Sequence, residues 1–173
     1  MQQPHPDRVS LSLNCGVITV SDTRTTATDT SGALIQELLT ATGHQIGSYT
    51  ILPDEPLKIQ AQLTASLQQN PPLQVLIING GTGIAPRDTT YDAIAVMLTK
   101  TLPGFGEIFR YLSYQDIGSR AIASRALSGI YEGLLVFSIP GSRGAVQLAM
   151  EKLILPEMVH LVTQIHPDIR PLA

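Results

Sequence analysis

The sequence predicts an α/β domain with a mostly parallel central sheet, covering helices and one β-hairpin. Short, β-branched apolar runs alternate with segments of helical periodicity, and polar, glycine-rich loops follow the apolar runs. Size agrees: 173 residues suit one domain, able to bury roughly 70% of the surface its unfolded chain exposes. The domain is expected over 12–166, between a proline-containing N-terminal tail, 1–11, and a short C-terminal tail, 167–173.

Residues 14–20 (NCGVITV) read as the first strand, and the polar run that follows suits a loop and a helix start. Ala33, Leu34, Leu38 and Leu39 approximate one apolar helix face, with Gly43 placed to close that helix. A second strand spans 46–52. A second helix spans 56–69, with Pro56 in its first turn and Ile59, Leu63 and Leu67 at four-residue spacing. The run 75–78, bounded by Pro71, Pro72 and Gly80, is too short for a helix and β-branched enough for a buried third strand. Helices are expected around 91–98 and 105–114. A hairpin of 123–131 and 134–139 is expected to turn at Glu132 and Gly133, and a last helix to start near Ser142 and kink or end at Pro156.

Composition removes several classes of function. With 11 Lys plus Arg against 14 Asp plus Glu, a net charge of -3 gives no basic field for a nucleic-acid backbone. Only 14% of residues are charged, well below the usual share, so part of the surface is expected to be covered by other copies of the chain. Cys15 is the single cysteine; it lies in an apolar run, reads as a buried thiol, and allows no intrachain disulfide. No stretch is apolar enough for a membrane span or a signal peptide, so a cytoplasmic location is expected. His5, His44, His160 and His166 show no paired metal spacing, and neither HExxH nor GxSxG occurs.

Chemistry therefore falls to the loops, which in open parallel sheets gather ligands beyond the carboxyl ends of the strands. In GGTGIAPRD (80–88), Gly80, Gly81 and Gly83 lack Cβ atoms, so backbone N–H groups can turn toward an anion; a merely tight turn is the alternative. Arg87 suits a phosphate, and Asp88 either caps the next helix or ligates Mg²⁺. Asp54 and Glu55 end a strand, where a carboxylate binds a metal or closes a turn. Asp22 and Asp29 in SDTRTTATD (21–29) share that ambiguity, and Ser142 in PGSRG (140–144) either caps a helix or holds a second phosphate.

Taken in order, SDT, PDE, GGTGIAPRDTT, PGFGEIFR, ASRALSG and FSIPGS resemble the MoaB/Mog family of molybdenum cofactor biosynthesis proteins, of the molybdopterin adenylyltransferase type, over about residues 14–162. The block GFGEIFRYLSYQDIGSRAIASRALSGI is most similar to the B-type branch. The resemblance implies a three-layer α/β/α molybdopterin-binding fold, assembled as a homotrimer or hexamer. It implies a reaction in which the terminal phosphate of molybdopterin attacks the α-phosphate of Mg-ATP, giving adenylyl-molybdopterin and pyrophosphate. Carried over by motif, Asp54 and Asp88 become the essential, Mg²⁺-holding carboxylates. Gly80, Gly81, Thr82, Gly83 and Arg87 become nucleotide-phosphate contacts, with Ser21, Asp22 and Asp29 lining the neighbouring loop. Ser124, Arg125, Pro140, Gly141 and Ser142 become molybdopterin contacts. Because some B-type members are thought not to catalyse the reaction, a non-catalytic molybdopterin-binding or delivery protein stands as the second expectation.

Overall fold

The computed structural model describes residues 11–169. Residues 1–10 and 170–173, which hold most of the expected tails, lie outside the described residues. Six strands form one sheet in the order β2-β1-β3-β6-β5-β4, from β1 (Asn14–Val20), β2 (Gln45–Leu52), β3 (Val75–Asn79), β4 (Lys100–Thr101), β5 (Leu127–Tyr131) and β6 (Leu134–Ile139). β2, β1, β3 and β6 run parallel, and β5 is antiparallel to both of its neighbours.

The apolar runs are continuous because the central strands are covered on both faces: every residue of β1, β3 and β6 is buried. Cys15, Val17, Val75, Ile77, Leu135 and Phe137 face a layer formed by α1 (Thr30–Ala41), α4 (Pro103–Ile117), α5 (Arg143–Ala149) and α6 (Leu155–Ile165). Ile18, Val20, Leu76, Ile78, Leu134 and Val136 face α2 (Pro56–Ser66) and α3 (Thr90–Ala95). Alternation along each strand thus divides two cores, giving the three-layer α/β/α architecture. Burial pushes the Cys15 thiol up to about 12, which leaves it unreactive.

Helix α1 ends as the glycine signal requires. Gly43 takes φ 86°, its N–H reaches the Thr40 carbonyl at 3.0 Å, and the His44 N–H reaches Leu39 at 2.9 Å, the two bonds of a Schellman cap. The hairpin turn has Glu132 at φ 48° and Gly133 at φ 86°, matching the hand of the sheet.

Two expectations need refinement, and one strand carries no signal in the sequence. The first hairpin arm begins at Leu127, because 118–123 form a 3-10 turn. Strand β4 was not foreseen: two exposed residues pairing with Gly129 and Ile130 carry no apolar pattern, as suits a short edge. The last helix does not end at Pro156. A π-helical turn (Met150–Ile154) intervenes, and Pro156 falls in the first turn of α6, where its missing N–H costs little. Met150, Ile154, Met158 and Val162, all fully buried at four-residue spacing, carry the helix across.

The carboxyl ends of β1, β2, β3 and β6 lie along one edge of the sheet. Because β5 is antiparallel, the segment entering it, with Ser124 and Arg125, arrives at that same edge.

Candidate active site

Asp54, just beyond β2, is buried at 5% exposure, yet it does not close its own turn. Its Oδ1 accepts from the Thr89 N–H at 3.1 Å, the Thr89 hydroxyl at 2.7 Å and the Thr90 hydroxyl at 3.2 Å, so it serves the start of α3 from another loop. Its Oδ2 faces Gly81, where a Cβ would fall on the carboxylate. Asp88 behaves similarly toward Gly83: a Cβ there would stand 2.5 Å from its Oδ2, which accepts the Ala85 N–H at 3.0 Å. Of the two readings for Asp88, the helix cap is therefore not observed, since the carboxylate braces its own loop. Both carboxylates keep one oxygen without a donor among the described residues.

Gly80 adopts φ 104° and approaches β1 so closely that a Cβ would meet the Val20 carbonyl. Its N–H donates to the Ile139 carbonyl at 3.0 Å and is not open to a ligand. Gly81, at φ 62°, turns the chain, and its carbonyl accepts the Thr90 N–H at 3.1 Å. Thr82 is buried.

Asp22 ties three loops together. Its Oδ2 accepts Arg87 Nε at 2.8 Å, while its Oδ1 accepts Arg87 Nη2 at 2.8 Å and the Asp54 N–H at 3.2 Å. The Arg87 guanidinium holds the Asp22 carboxyl below the usual range, and Asp22 raises Arg87 in turn. Beside this pair opens a cleft of about 650 Å³, with Ile51, Leu52 and Pro53 as an apolar wall and Ser21, Arg24 and Thr25 on the polar side. That volume is within the usual range for a small-molecule site.

Asp29 is not a surface residue of this cleft. It is buried at 4% exposure and caps α1 through the Gly32 N–H at 2.8 Å, and its Oδ2 also accepts from the Thr19 and Tyr49 hydroxyls. Thr19 in turn accepts from Asn79 at 2.8 Å, so the network reaches the residue before the glycine loop. Burial opposes the charge on Asp29, but these donors outweigh it and hold the carboxyl below its ordinary value. Burial and Asp29 together push Tyr49 up to about 12. A folded-state value below the unfolded one stabilises the fold above about pH 4, and that stability is lost as acid protonates Asp29. Asp29→Asn is expected to lower the melting temperature at pH 7 and to lessen its fall between about pH 5 and pH 3. Thermal unfolding across that range checks both signs.

Ser142 caps α5, accepting the Ala145 N–H at 3.3 Å, and the Gly141 carbonyl receives the Ser31 hydroxyl at 2.8 Å. Gly141 packs against Gly80, where a Cβ would come 3.0 Å from the Gly80 Cα, so the PGS and GGTG loops touch. Arg125 lies against the glycine loop, and each of its three guanidinium nitrogens has a protein acceptor. The hydroxyl of Ser124 is buried without a partner, as is that of Ser138. Sequence reasoning passed over Thr89, Thr90 and Asp92. The doublet Thr89-Thr90 after RD, two hydroxyls at a helix start, was the available signal.

Among the described residues no group of three His, Cys, Asp or Glu side chains is arranged to hold a metal. Mg²⁺ needs fewer, since it is commonly held by one or two carboxylates with water and substrate phosphates. The free oxygens of Asp54 and Asp88, each on a carboxylate whose other oxygen is fixed, fit that requirement.

Residues 16–160 match a domain family described as a probable molybdopterin binding domain. The chain belongs to this family. It is 49% identical, over 96% of its own length and 98% of the relative's, to molybdenum cofactor biosynthesis protein B of Halalkalibacterium halodurans. Among solved structures, a crystal structure of molybdenum cofactor biosynthesis protein B has a TM-score of 0.89 at 46% identity, covering 93% of this chain and 100% of that one. The tungsten cofactor synthesizing protein MoaB of Pyrococcus furiosus has a TM-score of 0.80 at 34% identity, covering 89% and 97%. The six-stranded sheet and its two helical layers are thus the fold of this molybdopterin-binding family.

Proposed function

We propose that this family member acts in molybdenum cofactor biosynthesis by adenylylating molybdopterin with Mg-ATP. The observation that carries the reading is the meeting of two half-free carboxylates, Asp54 and Asp88, with the glycines of one loop, beside a cleft that contains Arg87. In the reaction, an oxygen of the molybdopterin phosphate bonds to the α-phosphorus of ATP. The bond from that phosphorus to its bridging oxygen breaks, and pyrophosphate leaves with the electron pair. The substrate supplies the nucleophile, so the protein has to position two polyanions and offset their charge. Asp54 and Asp88 would hold Mg²⁺, which when bound neutralises phosphate charge. In this reading loop amides would hold phosphate, and the Ser124 hydroxyl, buried without a partner, would be a donor to molybdopterin only once the ligand reaches it. The test is to incubate purified protein with molybdopterin and Mg-ATP and follow adenylyl-molybdopterin and pyrophosphate. Formation of both supports the reading; molybdopterin binding without either product contradicts it.

One observation favours the second reading, a molybdopterin-binding or delivery protein without turnover. Arg87 is paired with Asp22 and Arg125 with Asp92, so both arginines nearest the loop are already neutralised. Product-free binding in the same assay is its expected result.

The reading includes assembly with further copies, as a trimer or hexamer, in the cytoplasm. Ile108, Tyr111, Tyr114, Ile117 and Ile122 are more than half exposed or nearly so, at 50%, 62%, 61%, 53% and 88%. They belong to α4 and the 3-10 turn after it, a concentration of apolar surface that association would cover. Among the described residues no helix is long and apolar enough to cross a membrane. Ile122→Glu, at an open position, is expected to lower the mass of the assembly while keeping the monomer's helical content, as read by light scattering and circular dichroism.

A further inference from the structure

Arg125 reaches the glycine loop with two of the three nitrogens of its guanidinium. Nε donates to the carbonyls of Thr82 at 3.2 Å and Gly83 at 3.0 Å, and Nη2 to the carbonyl of Asp88 at 3.2 Å. Nη1 is held by both oxygens of Asp92, at 3.1 and 2.9 Å, and the guanidinium carbon lies 4.9 Å from the centre of the Tyr91 ring. The group is thus fixed on two further sides, by an ion pair and a cation–π contact.

Each anchored carbonyl determines the direction of an N–H, because in a trans peptide unit the two point opposite ways. Fixing the carbonyls of Thr82 and Gly83 toward Arg125 turns the N–H groups of Gly83 and Ile84 away from it. The Gly81 carbonyl, held by the Thr90 N–H, likewise fixes the N–H of Thr82, turned away from Thr90. None of these three N–H groups has an acceptor among the described residues. A fourth unit shows where such a group points: the Asp88 carbonyl is held by Arg125, and the opposed Thr89 N–H lands on Oδ1 of Asp54. Gly80, by contrast, has its N–H closed by Ile139.

We propose that Arg125 is a positioning residue, which holds the loop by its carbonyls so that phosphate is taken by the successive N–H groups of Thr82, Gly83 and Ile84. The inference rests on the proposed phosphate site. It replaces a direct contact from Arg125 to substrate with action through the backbone, and it moves the cradle from Gly80 toward Ile84. Three successive N–H groups without a protein acceptor among the described residues suit a phosphate oxyanion, with the guanidinium offsetting the carbonyls of Thr82 and Gly83.

The test uses the full chain, the probe inorganic pyrophosphate, and the variants Arg125→Lys and Arg125→Gln. Amide exchange without ligand is read at Ala85, Asp88, Thr89 and Thr90, whose N–H groups are bonded only while the loop keeps its shape. Exchange there is expected to rise by about tenfold in both variants, with β3 and β6 unchanged. Pyrophosphate is expected to shift the wild-type N–H resonances of residues 82–84 and to bind about tenfold more weakly to both variants, lysine failing to restore a forked contact. Weaker binding with unchanged exchange, or wild-type affinity in Arg125→Lys, overturns the proposal. Should Arg125→Gln also expose the strands, Asp92→Ala decides instead: faster exchange confined to residues 85–90 supports the proposal and a wild-type profile contradicts it. If pyrophosphate leaves the wild-type loop unshifted, the phosphate reading fails and the cradle with it, while the exchange profile still decides whether Arg125 sets the shape of the loop.

Discussion

Asp54→Asn is expected to slow pyrophosphate release from Mg-ATP and molybdopterin by about 100-fold or more, with little loss of stability. Asparagine keeps the shape of the side chain, and its carbonyl can still accept from the Thr89 N–H and from the hydroxyls of Thr89 and Thr90. What it loses is the charge on the oxygen facing Gly81, the group offered to Mg²⁺. Asp54→Ala separates the two roles from the other direction. It leaves the buried Thr90 hydroxyl and its two neighbouring donors without their acceptor and is expected to cost about 1–3 kcal/mol of stability in addition to the activity. Steady-state turnover and denaturant unfolding of the two variants side by side make the distinction. Near-normal turnover by Asp54→Asn would remove the carboxylate from the mechanism.

Gly80→Ala is expected to be the most damaging single methyl group in the site, destabilising the protein by about 3–5 kcal/mol. Two effects coincide there. At φ 104° an L-residue is strained whatever the space around it, and the added Cβ would meet the backbone carbonyl of Val20, which cannot swing aside as a side chain can. The Gly80 N–H also ties β3 to the end of β6 through Ile139, so relief of the clash would open the junction of the GGTG and PGS loops. Gly104→Ala is the matched control, since nothing lies within 4 Å of its Cβ position, and is expected to stay within about 0.5 kcal/mol of the parent. Chemical denaturation of both variants gives the comparison.

Much of the fold was legible because its signals are local and strong. β1 could be bounded from NCGVITV, a run buried on both faces, and α1 could be ended at Gly43 because only its left-handed conformation closes the helix there. The signals that failed were weak or overridden by packing. Lys100–Thr101 pairs at an edge with no apolar residue to reveal it, and Pro156 reads as a kink or a stop, whereas a π-turn lies before it and four buried residues carry the helix past it. In the site, residue types indicated which side chains could act but not which way they face. Asp29, Asp54 and Asp88 look alike in sequence, all acidic loop residues after strands. One is buried as a helix cap, one reaches across to another loop and one braces its own. Arg125 illustrates the same limit, because a guanidinium in a loop suggests a phosphate contact until its donors are found on carbonyls. The assignments of Asp54 and Arg125 depend on contacts more than 30 residues apart, which no local pattern encodes.

A crystal structure of the protein with adenylyl-molybdopterin and Mg²⁺ tests the central claim most directly, since that molecule carries both halves of the proposed reaction. The bridging phosphates are expected within hydrogen-bond distance of the N–H groups of residues 82–84, with Mg²⁺ between them and the free oxygens of Asp54 and Asp88, and one end of the ligand in the cleft beside Arg87. Phosphates bound away from the 80–88 loop, with neither carboxylate near the metal, would contradict it.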